Sequence, residues 1–445
     1  MKYQLLVDQL ADQIARGQLR PGERLPNQRE MAQQFGVTIT TITRAVAEAT
    51  RRGLVVARPG SGTFVAAGPA EAVRPAPGDG IDLRPNTVPI PPGIRAALSR
   101  AMAALAREDR PEQLFSAEPV AGSGRHREAA AAWLALRGLP CGAETLLLSH
   151  GAQHGLAACL SALARPGYAL LCEAHVYAGL HRLAAEAGLR LHPVAMDTEG
   201  VEPAALAAAM AETGARLLLC SPAAQNPTTA TMGPARRQAV LAACERAGAL
   251  VIEDDVCGFA AGDPVPPLAA MAPERVIYVT GLSKSVAPAF RLGIIRPPAS
   301  VRAAIRDALG VQHWVAPAFH AEVLARLVED GAASTCLREH RQEMTRRMAT
   351  ALAALGPGRL GRPSLPSYHL WLPIPAPWRS DDFLRGLEER GLRALGAGHF
   401  AAAGLRPAPH LRACLGDIDL PTIERAFAAI GHLMMERPWS TEALV

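Results

Sequence analysis

Five short apolar runs, separated by stretches rich in Ala, Leu and Arg, most constrain what this chain can fold into. The runs cover residues 146–148, 169–172, 217–220, 250–252 and 276–279. Apolar runs of this length predict strands buried on both faces, and the stretches between them are typical of helices. The alternation therefore predicts βαβ units around a mainly parallel sheet.

The chain length and one Pro/Gly-rich stretch predict the domain organisation. With 445 residues the chain is too long for one ordinary core, so at least two domains are expected. Pro and Gly are so dense in residues 67–80 that neither a helix nor a strand is expected there, and the stretch predicts a semi-rigid linker. We expect a small domain at 1–66 and a large α/β domain at 81–445.

Composition excludes several classes of protein. A hydrophobic content of 49% and a charged content of 20% are typical of a folded soluble protein. The first residues do not resemble a signal peptide, and no apolar run has the length of a membrane span. The eight cysteines form no CxxC pair, so neither a metal site nor a disulfide framework is expected. A cytoplasmic protein with reduced thiols and no membrane partner fits best.

The net charge of +5 lies almost entirely in the small domain. Residues 1–66 hold nine basic and five acidic side chains, which leaves a local charge of +4. A small basic domain attached to a nearly neutral one indicates a nucleic-acid partner.

The small domain has the pattern of a helix-turn-helix. Asn27 followed by Glu30 predicts a capping box, and Met31, Ala32 and Phe35 predict the inner face of the helix that it begins. Gly36 predicts a turn. A second helix from Thr38 then carries its apolar residues on one face and short hydroxyls with an arginine on the other. The inner residues are Ile39, Ile42 and Val46, and the predicted DNA contacts are Thr38, Thr40, Thr41 and Arg44.

Residues 53–65 predict a wing, that is, two short strands around a Gly-rich tip. Such a tip would hold Arg58 and the backbone amides of Gly60 and Ser61 against DNA phosphates. The alternative is a generic three-helix domain with a solvated polar face. The segments 21–26, 35–37 and 58–65 together closely resemble the winged helix of GntR-family regulators, which implies double-stranded DNA as a partner.

Lys284 is singled out by the scarcity of lysine. The chain has 46 lysines and arginines, and only Lys2 and Lys284 are lysine. Arginine offers no free primary amine for a Schiff base, whereas a desolvated lysine does. Lys284 comes soon after the run at 276–279, so it is expected at the exit of a buried strand. A loop lysine left by chance is the alternative.

Other polar residues complete a set that suits pyridoxal phosphate. Asp254 ends a predicted strand and would keep the pyridine nitrogen protonated, while Glu253 and Asp255 beside it are equally compatible with solvated acids. Gly151, Ala152 and Gln153 begin a helix after a strand, where free amides bind an anion. The remaining assignments are a phosphate contact from Arg291, ring stacking by Tyr177, a donor to the phenolic oxygen from Asn226, and a substrate carboxylate on Arg412, for which a structural salt bridge is the alternative.

These motifs, in this order, resemble fold-type I aminotransferases. They are Gly-Ala-Gln at 151–153, Asn-Pro-Thr at 226–228, Glu-Asp-Asp at 253–255 and the segment 283–293, which adds Ser283 to the cofactor contacts. A winged helix joined by a linker to such a domain resembles the MocR subfamily of GntR regulators. The resemblance implies a head-to-tail homodimer that binds DNA, with the large domain as a sensor of an amine, an amino acid or pyridoxal phosphate itself.

One position departs from the aminotransferase pattern. A tyrosine usually lies three residues after the pyridine aspartate, and Cys257 stands there. A thiol is a weak hydrogen-bond donor, so poor transamination is expected and a regulator is favoured over an enzyme. A working aminotransferase with an attached DNA-binding domain, or a regulator that has lost the cofactor, remain as alternatives. The effector, the operator and the sign of regulation are not readable from the residues.

Overall fold

The structure is a computed structural model that describes most of the chain. The described residues are 6–7, 19, 23, 25–51, 55–58, 62–65, 80–107, 119–360, 363–402, 404–416 and 418–436. The chain divides into two compact units, Met1–Asp79 and Gly80–Val445. The predicted linker lies outside the described residues except for Gly80.

Among the residues that the structure describes, the first unit has two helices with given bounds and a hairpin. They are α1 Gln28–Gln34, α2 Ile39–Arg51, β1 Val55–Arg58 and β2 Gly62–Val65. The predicted capping box is confirmed: Asn27 Oδ1 accepts from the amide of Glu30, and the amide of Asn27 donates to Glu30 Oε2, both at 3.0 Å. The strands β1 and β2 pair antiparallel, from Val55 opposite Val65 to Arg58 opposite Gly62. The predicted wing strands are therefore confirmed.

The prediction that Phe35 and Ile39 lie on the inner faces of their helices is wrong. Ile39 is 49% exposed and Phe35 is 39% exposed, whereas Met31, Ala32 and Ile42 are buried as expected. Ile39 is the first residue of α2, and helical side chains lean toward the N-terminus, so it projects beyond the packed turn. Phe35 follows the last residue of α1 with φ −95° and ψ 1°, so it no longer obeys the helical period.

The second unit is built from a large sheet, smaller sheets and the helices around them. Its strands are β3 Ile81–Asp82, β4 Leu147–Ser149, β5 Ala169–Glu173, β6 Arg190–Val194, β7 Met196–Asp197, β8 Gly200–Val201, β9 Leu217–Cys220, β10 Leu250–Asp254, β11 Val276–Gly281, β12 Gly293–Arg296, β13 His369–Pro373, β14 Leu392–Arg393, β15 Leu395–Gly396 and β16 His410–Cys414. Its helices are α3 Pro92–Leu105, α4 Gly124–Ala135, α5 Ala152–Leu163, α6 Gly179–Glu186, α7 Pro203–Thr213, α8 Pro234–Arg246, α9 Val256–Ala261, α10 Leu268–Met271, α11 Ala299–Gln312, α12 Ala318–Glu329, α13 Ala332–Leu355, α14 Ser380–Glu389 and α15 Leu420–Met435.

The large sheet has seven strands in the order β4-β12-β11-β10-β9-β5-β6. The pairs from β11 through β6 are parallel, and β12 runs antiparallel to both of its neighbours. All five predicted strands are present, and the prediction of a mainly parallel sheet is confirmed. Apolar side chains from both faces of this sheet form two separate core clusters.

A second layer near the C-terminus consists of the sheet β13-β16-β15 with helices α13, α14 and α15. Its own core includes Leu370, Phe383, Leu411 and Phe427, each of which is fully buried. β16 carries Arg412 and pairs with β13, where Trp371 lies opposite Arg412. This layer therefore brings a C-terminal arginine within reach of the large sheet.

Parallel strands end at one common edge of a sheet, and ligands of open α/β sheets bind beyond that edge. Glu173, Asp254 and Gly281 end β5, β10 and β11, and Ser221 follows β9.

The described helices include none long and apolar enough to cross a membrane.

Candidate functional site

A cavity of about 350 Å³ lies at the carboxyl ends of β9, β10 and β11. It is lined by Asn86, Ala152, Gln153, Leu156, Tyr177, Ala178, Ser221, Asn226, Asp254, Val256, Cys257, Gly281, Ser283, Lys284, Arg291, His399, Phe400 and Arg412. Apart from Gly151, which directly precedes Ala152, every cofactor or carboxylate residue expected in the large domain is among them. Residues spread over more than half of the chain thus converge on one cavity.

Lys284 lies three residues beyond the fully buried strand β11, as the sequence predicts. Its Nζ donates a hydrogen bond to the backbone carbonyl of Asn86. Burial lowers the pKa of Lys284 below its usual value. A lysine amine with a lowered pKa is more often neutral, and the neutral form is the nucleophile.

Asp254 is the last residue of β10 and accepts a hydrogen bond from the amide of Val256 at 3.3 Å. Burial raises the pKa of Asp254 to about 6, and the nearby charge of Asp255 adds to the rise. A buried carboxylate of this kind is stabilised by a cationic group placed next to it. Its position suits a protonated ring nitrogen.

The two neighbouring acids are not solvated, so that alternative is wrong. Glu253 is fully buried and accepts hydrogen bonds at 2.9 Å from the amides of Leu268 and Ala269, at the start of α10. Asp255 Oδ2 accepts from Arg137 Nε at 2.7 Å and from the Tyr278 hydroxyl at 2.8 Å. The side chains of Glu253 and Asp255 therefore stabilise the fold next to the cavity. Of the three acids at 253–255, Asp254 alone lines the cavity.

An anion cradle forms where α5 begins. Gly151 precedes α5 with φ 90° and ψ 162°, a conformation that is essentially restricted to glycine. A Cβ on Gly151 would lie 3.1 Å from Arg291 Nη2, so the guanidinium packs against this turn. Arg291 Nη1 also donates to Ser283 Oγ at 3.3 Å. Free helix amides beside an arginine and a serine hydroxyl are suited to a phosphate group.

Arg412 and Asn226 contact each other in the wall of the cavity. Arg412 Nη1 donates to Asn226 Oδ1 at 2.9 Å, and its guanidinium carbon lies 4.6 Å from the centre of the Phe400 ring. Among the described residues no carboxylate lies within salt-bridge distance of Arg412, so the structural salt bridge is not found. The Tyr177 hydroxyl is buried without a hydrogen-bond partner among the described residues. Beside the anion cradle the cavity therefore also offers a cation, an amide and a phenol without a partner among the described residues.

An extended segment at residues 83–88, which we call the strap, contributes Asn86 to the wall of the cavity. The Leu83 carbonyl accepts from the amide of Cys414 at 2.8 Å, and the Arg84 carbonyl accepts from Arg412 Nη2 at 2.8 Å. The Asn86 carbonyl accepts from Lys284. A Cβ on Gly416 would clash with the carbonyl oxygen of Thr87, so the strap packs closely there as well. Lys284 and Arg412, two of the three cations that line the cavity, thus donate to the strap backbone.

Cys257 lies on α9, three residues after Asp254, and its thiol lines the cavity. Burial raises the pKa of Cys257 to about 11, with a smaller opposing effect from Lys284. The thiol is therefore protonated at neutral pH and is only a weak donor.

Several lining residues escaped sequence reasoning, and they share the absence of a local motif. These residues are Asn86, Ser221 and Phe400, which lie in loops, and His399, which ends the short 3₁₀ helix Ala397–His399. Ser221 directly follows β9, so the carboxyl-edge rule that identified Asp254 could have found it. Phe400 reaches the cavity because its carbonyl accepts from the amide of Val176 at 2.8 Å, a contact across more than two hundred residues.

The candidate DNA contacts are placed only in part. Thr38, Thr40 and Arg44 are exposed, Thr41 is half-buried, and the hydroxyls of Thr38 and Thr41 lie 2.9 Å apart. The backbone of Arg58 ends β1, whereas its side chain, Gly60 and Ser61 lie outside the described residues. The start of α2 thus presents short polar side chains and one arginine to solvent.

Comparisons with known proteins match both units. A family model described as aminotransferase class I and II matches residues 79–430, and one for bacterial regulatory proteins of the gntR family matches residues 2–65. The chain is 28% identical to the uncharacterized HTH-type transcriptional regulator YdeF of Bacillus subtilis, over 78% of this chain and 75% of that one.

Two further relatives and one solved structure agree. The HTH-type transcriptional regulator TauR of Rhodobacter capsulatus is 31% identical over 66% of this chain and 67% of its own. The probable rhizopine catabolism regulatory protein MocR of Rhizobium meliloti is 27% identical over 79% and 76%. The kynurenine aminotransferase of Pyrococcus horikoshii superposes with a TM-score of 0.73 at 20% identity, over 82% of this chain and 92% of its own, which establishes the fold.

Proposed function

This chain belongs to the MocR-type regulators, which join a GntR helix-turn-helix to an aminotransferase class I and II domain, and we propose that it is a DNA-binding transcriptional regulator. We further propose that its large unit binds pyridoxal phosphate and senses an amine, an amino acid or the cofactor itself. The observation that carries the proposal is the single cavity that collects Lys284, Asp254, Asn226, Arg291 and Arg412.

The donor set of the cavity supports pyridoxal phosphate as the ligand. The cofactor requires an amine, an acid for its ring nitrogen, an anion cradle and polar partners for its phenolic oxygen. Lys284, Asp254, the Gly151 turn with Arg291, and Asn226 supply these in turn. The unpartnered hydroxyl of Tyr177 and the raised pKa of Asp254 are what a site built for a polar, cationic ring would have. The residues therefore fit the group.

Each side chain has a separate task in this proposal. Bound pyridoxal phosphate supplies an aldehyde for an amine and an electron-withdrawing ring. Lys284 holds the cofactor through its amine, and Asp254 keeps a proton on the ring nitrogen. The phosphate is held by Ser283, Arg291 and the amides of Ala152 and Gln153. Tyr177 packs against the ring. Arg412 binds a carboxylate of the effector, which orients the effector amine toward Lys284.

The strap supports a sensing step. Lys284 and Arg412 donate to the strap carbonyls of Asn86 and Arg84, and a ligand on either cation competes for the same N–H groups. The strap follows the predicted linker 67–80 within a few residues along the chain. Occupancy of the cavity therefore acts on the segment from which the chain continues toward the helix-turn-helix.

We also propose a homodimer, head-to-tail as in the resemblance. Val311 and Trp314 are each 87% exposed, and Val315 and Phe319 beside them are exposed as well. Exposed apolar groups clustered in this way are typical of a protein-protein contact. Analytical sedimentation of the Trp314→Glu variant tests this assignment, because the variant should shift toward monomer. Tyr168 is also exposed but lies at the other end of the sheet, so the control variant Tyr168→Glu should remain a dimer.

The cofactor is tested by visible absorption of the protein with added pyridoxal phosphate. We expect a visible band that borohydride abolishes in the wild type and in Lys2→Ala, and no such band in Lys284→Ala. Lys2 is the matched control because the chain has no other lysine. A band that persists in Lys284→Ala, or no band in the wild type, would discard the cofactor assignment.

Sensing is tested by DNA binding. The protein is titrated onto its own promoter region with and without pyridoxal phosphate, and then with a panel of amines and amino acids. We expect one of these compounds to change the affinity in the wild type and to have no effect in Lys284→Ala. If none changes it, the large unit is not the sensor.

A further inference from the structure

Glu173 is a buried carboxyl group that the assignments above leave without a task. It is the last residue of β5 and is only 2% exposed. Its Oε1 accepts from the amide of Ser221 at 3.1 Å, and its Oε2 accepts from Gln225 Nε2 at 2.9 Å. Both donors belong to the loop that follows β9, so one carboxyl group fastens this loop at two points.

Gln225 extends this hydrogen-bond network along the loop. Its Nε2 also donates to the His175 carbonyl at 2.6 Å, and its Oε1 accepts from the amide and the hydroxyl of Thr228 at 2.9 and 2.7 Å. The side chain is 1% exposed and its amide hydrogens and oxygen are all engaged. Asn226 lies between Gln225 and Thr228, so it is flanked on both sides by residues of this network.

The loop needs such support because parts of its backbone are strained. Ala224 and Thr229 adopt φ 46° and 61°, in the left-handed region that residues other than glycine rarely enter. Strain of this kind persists only where the surrounding contacts overdetermine the conformation. Gln225 lies between these two residues, and Ser221 lies three residues before Ala224.

The orientation of Asn226 is what this support secures. Arg412 can only donate, so the Asn226 oxygen must face it, as the 2.9 Å contact shows. The Asn226 amide nitrogen is then the donor left for the cavity. A rotation of the side chain would present Nδ2 to the guanidinium and lose both interactions at once.

We propose that Glu173 is a positioning residue that acts through Gln225 to hold Asn226 between Arg412 and the ligand. The proposal deepens the proposed function and rests on it, since it names the group that sets recognition of the effector carboxylate and of the cofactor phenol. Glu173 does not line the cavity and touches neither ligand.

A carboxylate is required because both oxygens of Glu173 accept. In Glu173→Gln one of the two oxygens becomes an NH₂ group that faces the N–H of Ser221 or the Nε2 of Gln225. Two donors facing each other in a buried place leave a group unsatisfied, which costs more than the loss of one exposed hydrogen bond. The N–H groups of Ser221 and Gln225 can only donate, so their contacts favour the ionised form of Glu173 and oppose the rise in its pKa that burial causes.

The test compares two oxyamines that displace Lys284 from the cofactor, aminooxyacetate and methoxyamine. Only aminooxyacetate carries a carboxylate, so the ratio of their rates, followed by the visible band, reports on Arg412 and Asn226. We expect Glu173→Gln to lower this ratio about tenfold, as for the loss of a hydrogen bond to a charged group. The affinity for pyridoxamine 5′-phosphate, measured by calorimetry on cofactor-free protein, should fall about tenfold as well.

Glu253→Gln is the matched control. Glu253 is also a buried carboxyl near a strand end that accepts from two amides, but its side chain does not line the cavity. It should lower the unfolding temperature and leave both the rate ratio and the affinity within twofold of the wild type. The proposal is overturned if Glu173→Gln leaves both quantities unchanged, or if Glu253→Gln lowers them equally.

Gln225→Met is the second variant, in case Glu173→Gln does not fold. It removes the amide that links Glu173 to the loop but keeps the bond from Ser221 to Glu173, and the same two decreases are expected. The wild type separates this proposal from the proposed function. If the wild type gives no visible band, the cofactor assignment fails, whereas a normal wild type with unaffected variants refutes only the role of Glu173.

Discussion

The cavity wall that carries Lys284 also carries the thiol of Cys257, and both side chains line a second, small cavity of about 20 Å³. With the thiol protonated, Asn226 is the stronger donor available to a phenolic oxygen. A site of this composition can bind the cofactor firmly and still support proton transfers poorly. That balance suits a sensor, for which residence of the ligand matters more than turnover.

Cys257→Tyr should raise transamination. A phenol donates more strongly than a thiol, and one added hydrogen bond to a charged oxygen corresponds to about a tenfold gain in rate. The measurement is the single-turnover conversion of the bound cofactor by L-alanine, followed by absorbance. Cys257→Ser is the control, because it adds a hydroxyl without the reach of a tyrosine. An unchanged rate in Cys257→Tyr with an intact visible band would count against the reasoning.

Gly151→Ala should weaken the cofactor site through the backbone. The φ of 90° and ψ of 162° cost a non-glycine residue about 1–3 kcal/mol, and the new Cβ meets Arg291. We expect the affinity for pyridoxal phosphate to fall about tenfold or more by fluorescence titration. Gly138→Ala is the matched control, since Gly138 also has a positive φ, of 79°, but a Cβ there meets open space. Equal losses of affinity in both variants would refute a local role for Gly151.

Between elements, helices α4 and α12 are joined by charge as well as by apolar packing. Glu322 of α12 accepts from Arg125 and His126 of α4, at 2.9 Å and 3.0 Å. Burial opposes ionisation of Glu322, but these hydrogen bonds outweigh it and lower its pKa to about 2. A carboxyl whose pKa is lower in the folded state stabilises the fold above the unfolded value and loses that effect as the pH falls.

Glu322→Gln should therefore destabilise the protein at pH 7 and make unfolding less dependent on pH between about 4.5 and 2. Allowing for screening at the exposed Arg125, we expect a loss of about 1–2 kcal/mol in the free energy of unfolding. Urea denaturation at a series of pH values measures both effects. Glu329→Gln removes the more exposed partner of Arg125 and should cost under about 0.5 kcal/mol. The same pH dependence in wild type and Glu322→Gln would contradict the assignment.

The elements that the sequence predicts best are the buried parallel strands. Strand β11 is buried along its whole length, so its apolar run is continuous and its end, with Lys284 beyond it, can be located. Strands β6 and β12 were not predicted, because β6 is only partly buried and β12 is a four-residue strand of Gly, two Ile and Arg. Asn86 and Phe400 reach the cavity through contacts between distant loops, and no local pattern encodes such contacts.

On the scale of the whole molecule, the basic charge and the ligand cavity belong to different units. The residues 1–66 carry a net charge of +4, while the cavity is formed by residues 86–412. Binding to DNA should therefore depend strongly on salt, and binding of the cofactor much less. Regulation then requires that the cavity act on the chain leading to the helix-turn-helix.

Arg44→Ala should reduce both the affinity for DNA and its dependence on salt. Arg44 is exposed on α2, and each phosphate contact that is removed lowers the slope of log K against log salt by about one. Fluorescence anisotropy on the promoter region at several salt concentrations gives the slope. Arg182→Ala, an exposed arginine paired with Glu186 in the large unit, should leave it unchanged. A wild-type affinity independent of salt would refute the electrostatic interpretation.

The strap implies that communication runs in both directions. Its carbonyls at Arg84 and Asn86 occupy N–H groups of Arg412 and Lys284 that a ligand also needs. Any force that draws the strap away from the cavity thus removes a competitor and tightens ligand binding. Thermodynamic reciprocity then requires that DNA change the affinity for the effector by the same factor as the effector changes the affinity for DNA. Under the proposed function, the operator would itself act as an allosteric effector of the cavity.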